Sequence, residues 1–285
     1  MTPDRLDIET ALPRMQELAS RLWSRTARHH PGQLAWSAAY GEPEALDLGP
    51  VFVLGDAWAW LESPGWLEVC GVDPDAVRTV VAAALEATEG DVTTSTLETE
   101  DVVVGVLADA GFTEVEAPWF THHHLDLGDL PPVVLPDGYS VRSVVPEERE
   151  QRAAVHRAAW SATSKVTGAA YRRLMATPPY RPALDHVVVS GSGEWVASCC
   201  VWWDESTGVA LVEPVGCVPE HRGRGLAAAA SVSALTAARE LGATEGLVCP
   251  RGDDDHPGPA RLYRRLGFVP GARTVALERV SPGTR

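Results

Sequence analysis

Hydrophobic and polar positions in the second half of the chain follow two periods, one typical of strands and one typical of helices. Short apolar or alternating runs predict strands at 139–143, 186–189, 195–203, 209–218 and 246–249. Helical periodicity predicts helices at 146–160, 169–176, 226–241 and 259–266. The segment 268–280 predicts the last strands of this half. Helices interspersed among strands, with one antiparallel meander, indicate a mixed α/β fold.

A proline- and glycine-rich segment separates this half from the first. It contains three prolines and two glycines between residues 127 and 138, which cannot continue a helix or a central strand. We therefore predict a domain of residues 1–127, a linker of residues 128–138 and a second domain of residues 139–285.

The first half resembles the second in the order of its elements. Residues 67–74 are similar to residues 212–219, and an alanine-rich helix follows each segment. Residues 106–112 are similar to residues 262–268. This repeat predicts two tandem domains of one architecture, each with a mixed, mostly antiparallel sheet flanked by helices.

Composition and charge narrow the classes of function. Of the 285 residues, 45% are hydrophobic and 22% are charged, which suffices for each half to bury a core. The net charge of -15 disfavours a nucleic-acid partner. No apolar run is long enough to span a membrane, and the N-terminus lacks a secretion signal, so we expect a cytoplasmic protein, as a monomer or a homodimer. The five cysteines lack metal-type spacing, so we expect reduced thiols and no metal.

A glycine-containing turn, Pro219–Gly225, lies between a predicted strand and the helix that begins at Leu226. Unpaired N–H groups in the first turn of a helix, approached through glycines, suit a phosphate or pyrophosphate. Arg222 and Arg224 add side-chain donors. The spacing does not fit a P-loop. A dinucleotide-binding turn is a weaker alternative, since Ala228 stands where its third glycine would fall.

Two motifs resemble the Gcn5-related N-acetyltransferases (GNAT). Arg222-x-x-Gly225-x-Ala227 is similar to the family's Arg/Gln-x-x-Gly-x-Gly/Ala signature. Residues 260–268 are similar to its later Ala-x-x-Leu-Tyr-x-x-Leu-Gly-Phe helix, with the Leu-Tyr-x-x-Leu-Gly-Phe part matched at residues 262–268. The resemblance implies acetyl-CoA as co-substrate. It assigns pyrophosphate binding to Arg222, Gly223, Arg224, Gly225, Leu226 and Ala227. It assigns contacts of backbone N–H groups with the acetyl and pantetheine groups to Cys217 and Val218.

The resemblance also implies catalytic roles and a reaction. Tyr263 matches the tyrosine that protonates the departing thiolate, and Glu213 lies on the strand that often carries the base. Trp160 ends a predicted helix that borders the acceptor site in the family. These residues imply acetyl transfer to a primary amine of a small molecule or peptide. Cys217 permits a covalent route, but direct attack by the amine is favoured because no neighbouring His or Asn is evident.

Other polar clusters receive structural interpretations. We expect His122 and His124 to be exposed strand residues near the domain junction, and we expect residues 253–256 to be a polar loop before a helix. In the first half, the repeat places Val77, Val80 and Leu107 at the positions of Arg222, Gly225 and Tyr263. The first domain is therefore predicted to be degenerate, without a CoA site.

Two alternatives to a general amine acetyltransferase stay open. Tandem domains with one degenerate copy resemble mycothiol synthase, which acetylates a cysteinyl amine, although no motif here singles that enzyme out. The second alternative is a non-catalytic regulator that binds acyl-CoA. The presence of Tyr263, the predicted catalytic acid, argues against this alternative. The sequence does not name the acceptor.

Overall fold

The computed structural model describes residues 1–39, 48–160, 163–253 and 255–281. Within them the helices are α1 (Ile8–Arg21), α2 (Pro31–Ala39), α3 (Pro74–Glu86), α4 (Asp101–Asp109), α5 (Arg149–Ala159), α6 (Gly168–Ala176), α7 (Leu226–Leu241) and α8 (Pro257–Arg265). The strands of the first half are β1 (Asp4–Leu6), β2 (Val51–Leu54), β3 (Ala57–Ser63), β4 (Trp66–Gly71), β5 (Val92–Leu97), β6 (Thr113–Glu114) and β7 (Thr121–Asp126). Those of the second half are β8 (Tyr139–Ser143), β9 (Asp185–Ser190), β10 (Trp195–Asp204), β11 (Val209–Cys217), β12 (Glu245–Val248) and β13 (Val269–Arg279).

The strands of both halves form one continuous sheet in which each half contributes a strand to the other. The order is β1-β2-β3-β4-β5-β13-β7-β12-β11-β10-β9-β8, with β6 on β13. In the first half, β5 pairs with β13, the last strand of the second half. In the second half, β12 pairs with β7, the last strand of the first half. Strands β7 and β13 also pair with each other at the centre of the sheet. Pairing is antiparallel except where β4 meets β5 and β11 meets β12. The predicted class, a mixed α/β fold of two similar halves with mostly antiparallel sheets, is confirmed.

Most predicted elements of the second half appear within a few residues of their expected bounds. The segment predicted as several last strands is the single strand β13, long enough to reach from the second half into the first. Because β7 and β13 are exchanged, main-chain hydrogen bonds cross the proposed boundary. The division into domains 1–127 and 139–285 stays a prediction.

Helices cover both faces of the sheet and close separate parts of the core. Helix α7 packs on β9, β10 and β11, with an alanine-rich face that lets it approach closely. On β10, Cys199 joins the core on the face of α7, whereas the adjacent Cys200 joins the core with α2 and α6, as alternation along a strand requires. Beneath α5, Arg152 donates to Asp185 in a fully buried ion pair.

The expectation that the histidines of β7 are exposed is wrong. His122, His123 and His124 are all buried, because strand exchange places β7 between β12 and β13 at the centre of the sheet. The Nδ1 atom of His124 hydrogen-bonds with the carboxylate of Glu245. Burial lowers the pKa of His122 to about 3, so the imidazole of His122 is neutral at physiological pH.

Candidate active site

Strands β11 and β12 diverge, and the gap between them positions the site. Their parallel pairing runs from Val209 with Glu245 to Leu211 with Leu247 and then stops, although β11 continues to Cys217. A bulge follows at once on the other edge of β11, where Glu213 and Pro214 together stand opposite Cys200 of β10. Proline has no N–H to give to a ladder and is tolerated at bulges, and a bulge redirects its side chains. The Glu213 carboxyl thus lies beside the gap.

The loop after β11 presents main-chain donors to a cleft. Helix α7 begins after Gly225, which has a φ of +79° and provides no side-chain cap, so its first N–H groups have no intrahelical acceptor. Gly223 has a φ of +77°, and a Cβ at either glycine would stand in open space. A left-handed backbone, free donors and open space suit close approach of an anion. The loop therefore fits the pyrophosphate of a CoA thioester.

A cleft of about 880 Å³ extends from this loop to α8. It gathers most of the residues predicted from sequence, namely Trp160, Cys217, Arg222, Gly223, Gly225, Leu226, Ala227 and Tyr263. Trp160, 45% exposed, forms one wall of this cleft and packs on Gly216, where any side chain would collide with it. Glu213, Val218 and Arg224 do not line the cleft.

The two loop arginines have partners within the protein. Arg222 donates to the carbonyls of Cys217 and Ala159, so its side chain braces the loop against β11 and the end of α5. Arg224 donates to the hydroxyl of Tyr139. The N–H of Val218 donates to the carbonyl of Val196, so this donor is not free for an acetyl group, contrary to the role expected for it.

Tyr263 lies on α8 at the inner end of the cleft. Tyr263 is only 5% exposed, and its ring contacts Phe268 edge-to-face. Burial raises the pKa of Tyr263 above its usual range, with further repulsion from Cys199, Cys249 and Glu213. The phenol therefore stays protonated at neutral pH and can donate a proton.

Glu213 faces a second cavity, of about 570 Å³, at the junction of the two halves. Burial raises the pKa of Glu213 to about 7, while Arg28 opposes this rise and Glu62 adds to it. A carboxyl with a pKa near 7 is suited to general base catalysis at neutral pH. Cys249 lines the same cavity, and the Glu213 carboxylate contributes to the raised pKa of Cys249 and to that of Tyr263. The two predicted catalytic groups therefore lie near the gap, one on each cavity.

The first half supplies residues to this second cavity that the sequence did not identify. This cavity is lined by Arg28, Trp66 and Ser95, and also by His122 from the exchanged strand β7. No spacing rule links these positions to Glu213. The one available signal was the repeat, which aligns Glu68, the partner of Arg28, with Glu213.

The corresponding turn of the first half is closed. The carboxylate of Asp73 accepts from the N–H groups of Asp75 and Ala76 and so caps α3, which starts without a glycine loop. Val77, fully buried, packs against Gly71. Leu107 is also fully buried. An anion at this helix end would have to displace the Asp73 carboxylate, which supports the prediction of a single CoA site per chain.

Together the diverging strands, the uncapped helix behind a glycine loop and the buried tyrosine define an acyltransferase fold of the GNAT type. Residues 152–268 match the model of the acetyltransferase (GNAT) family. No curated protein matches the chain.

Several solved structures share the fold over nearly the whole chain. A GCN5-related N-acetyltransferase from Sphaerobacter thermophilus has 20% identity and a TM-score of 0.60, over 98% of this chain and 97% of its own. One from Kribbella flavida has 24% identity and a TM-score of 0.56, over 88% and 95%. A tandem GNAT protein from the clavulanic acid biosynthesis pathway has 16% identity and a TM-score of 0.65, over 99% and 100%. At these identities the likeness shows the fold alone, which is that of tandem GNAT proteins.

In residues 1–39, 48–160, 163–253 and 255–281, no helix is both long and apolar enough to cross a membrane.

Proposed function

We propose that this protein is an N-acetyltransferase that moves the acetyl group of acetyl-CoA to a primary amine of a small molecule or peptide. The observation that carries the proposal is the placement of Tyr263 and Glu213 near the divergence of β11 and β12, next to the uncapped start of α7. The main-chain donors of Gly223 to Ala227 bind the pyrophosphate, and the thioester extends along the end of β11 toward Tyr263.

The reaction proceeds by direct attack. Glu213 takes a proton from the ammonium of the acceptor, and the free amine attacks the thioester carbonyl to form a tetrahedral intermediate. The C–S bond then breaks, and the hydroxyl of Tyr263 protonates the departing thiolate. The nitrogen of the new amide loses its remaining extra proton, which restores the phenol of Tyr263, and Glu213 releases its proton to solvent. Burial raises the pKa of Cys217, which keeps this thiol protonated and disfavours a covalent acetyl-cysteine route.

The expected context follows from the same chemistry. We propose a cytoplasmic enzyme, where acetyl-CoA is available, acting as a monomer or a homodimer without nucleic-acid or membrane partners. The net charge of -15 supports a cationic acceptor over a polyanionic partner.

Free-thiol release from acetyl-CoA, measured with a panel of amines, tests the proposal. Tyr263→Phe keeps the aromatic ring that contacts Phe268 but removes the acidic proton. We expect kcat to fall by about 10²- to 10⁴-fold while the affinity for CoA, measured by calorimetry, stays unchanged. Equal loss of CoA affinity would instead assign Tyr263 a packing role. CoA binding without turnover of any amine would favour a non-catalytic acyl-CoA-binding protein.

A further inference from the structure

The cavity that contains Glu213 is built jointly by the two halves. Arg28 and Trp66 come from the first half, Phe120 and His122 from the segment that crosses to the second, and Glu213 and Arg251 from the second. Strand exchange creates this arrangement, because β7 and β13 pair at the centre of the sheet beside the gap between β11 and β12. The first half, with its own helix end capped, thus still forms a wall of the site.

The two arginines in this cavity have carboxylate partners already. Arg28 donates to Glu68 at 3.0 Å and to the carbonyl of Ser95 at 2.5 Å, and its side chain is only 11% exposed. Arg251 pairs with Asp253, and its second guanidinium nitrogen lies 3.6 Å from Asp255. These guanidinium groups are therefore poorly placed to bind a carboxylate of a ligand.

Glu213 differs from them, since in the part of the chain that the structure describes it forms no ion pair. The two histidines of the cavity do not add positive charge. Burial lowers the pKa of His122 to about 3 and that of His30 to about 4, so both are neutral. Among the described residues, Glu213 is thus the carboxylate of this cavity that makes no direct ion pair, although the charge of Arg28 lowers its pKa, and such a carboxylate favours a cationic ligand.

The remaining lining is largely apolar. Its apolar residues include Trp66, Phe120, Leu211, Leu247 and Cys249, and the volume of about 570 Å³ lies within the usual range of small-molecule sites. Among the residues that the structure describes, the Nδ1 atom of His122 has no hydrogen-bond partner, and this residue is only 3% exposed. A donor on a bound molecule could satisfy this atom.

We infer that this composite cavity is the acceptor site and that it selects a primary amine on an aromatic or apolar body, without a carboxylate next to the amine. The ammonium pairs with Glu213, and the apolar body packs on Trp66 and Phe120 from the first half and the crossing segment. The inference rests on the proposed function, because it treats Glu213 as the group that receives the amine. It excludes free α-amino acids, whose carboxylate would lie beside Glu213 without a free cation to receive it.

Calorimetric titration of the full chain, saturated with CoA so that no turnover occurs, tests the inference with three ligands. 2-Phenylethylamine is expected to bind at least tenfold more tightly than L-phenylalanine, which differs from it by one carboxylate. It is also expected to bind at least tenfold more tightly than ethylamine, which lacks the aromatic body. Equal or tighter binding of L-phenylalanine, equal binding of ethylamine, or no binding of 2-phenylethylamine would overturn the inference.

A matched pair of variants tests the place of binding. Phe120 is 45% exposed, so Phe120→Ala leaves the fold intact and should weaken binding of 2-phenylethylamine about three- to tenfold without changing the affinity for CoA. Val134→Ala, at an exposed apolar position outside the cavity, is the control and should change neither affinity. Identical behaviour of the two variants would refute the location. Because binding is measured without turnover, tight binding without acetyl transfer would contradict the proposed function and leave the acceptor cavity supported.

Discussion

The ionisation of Glu213 gives the most direct test of the mechanism. Burial raises the pKa of this carboxyl to about 7 against the opposing effect of Arg28, and the proposed base must be ionised to accept a proton. The reaction should therefore be slow at pH 6 and fast at pH 8. With a pKa of about 7, the ionised fraction rises from about 10% to about 90% across this interval, which is roughly a tenfold gain in rate.

Glu213→Gln supplies the reference for this measurement. Glutamine keeps the shape of the side chain and cannot ionise, so the ratio of wild-type to variant kcat/KM cancels the ionisation of the acceptor amine itself. We expect this ratio of kcat/KM values to rise about tenfold from pH 6 to pH 8. At pH 8 it should lie between about 10² and 10⁴. A ratio that stays constant over this range would refute the assignment of Glu213 as the base.

A second perturbation tests the contribution of the first half. Removing the charge of Arg28 removes an interaction that lowers the pKa of Glu213, so the midpoint of the profile should move to higher pH. The double variant Arg28→Met/Glu68→Gln avoids leaving the buried Glu68 carboxylate without its partner. Arg28→Lys retains the charge and should keep the midpoint near that of the wild type. An unchanged midpoint in the double variant would show that Arg28 does not tune the base.

Four further predictions concern the cofactor loop, the first half and stability. Gly225→Val should reduce CoA affinity at least tenfold. The control Gly193→Val imposes the same left-handed strain at an open turn and should leave CoA affinity unchanged. Equal CoA affinities of the two variants would contradict the assignment of the loop. Calorimetry should give one CoA per chain, and two equivalent sites would refute the argument from the capped helix α3. A fragment of residues 128–285 lacks β7 and should not bind CoA with full affinity, so a fully competent fragment would show that the exchanged strand is dispensable. Arg152→Met should lower the free energy of unfolding by about 3–5 kcal/mol, and adding Asp185→Asn should recover part of this loss. A loss below about 1 kcal/mol in denaturant unfolding of Arg152→Met would contradict a fully buried ion pair.

Local chemistry made much of the second half predictable. The bounds of α7 follow from a left-handed glycine at each end, Gly225 and Gly242, and these positions are visible in the sequence. The contacts within the cofactor loop are also short in sequence, since residues 217 to 227 are adjacent along the chain. The glycine-loop motif therefore predicted most residues of the proposed cofactor cleft, and the second motif predicted Tyr263.

The groups that act across the sheet were not predictable in this way. The buried histidines of β7 and the position of Arg28 near Glu213 depend on strand pairing between residues more than one hundred positions apart. Hydrophobic alternation tells which face of a strand is buried but not which strand lies beside it. The bulge at Glu213 and Pro214 likewise depends on the register with β10.

The sequence by itself determined the two motifs of the second half, the glycine loop and the tyrosine helix, because each is encoded by residues close together in the chain. Only the tertiary structure decided that the two halves exchange their last strands, because that choice depends on long-range main-chain pairing. The same exchange brings a first-half arginine and an apolar wall to Glu213. Local motifs thus describe the proposed cofactor cleft, and the packing of the two halves describes the proposed acceptor cavity.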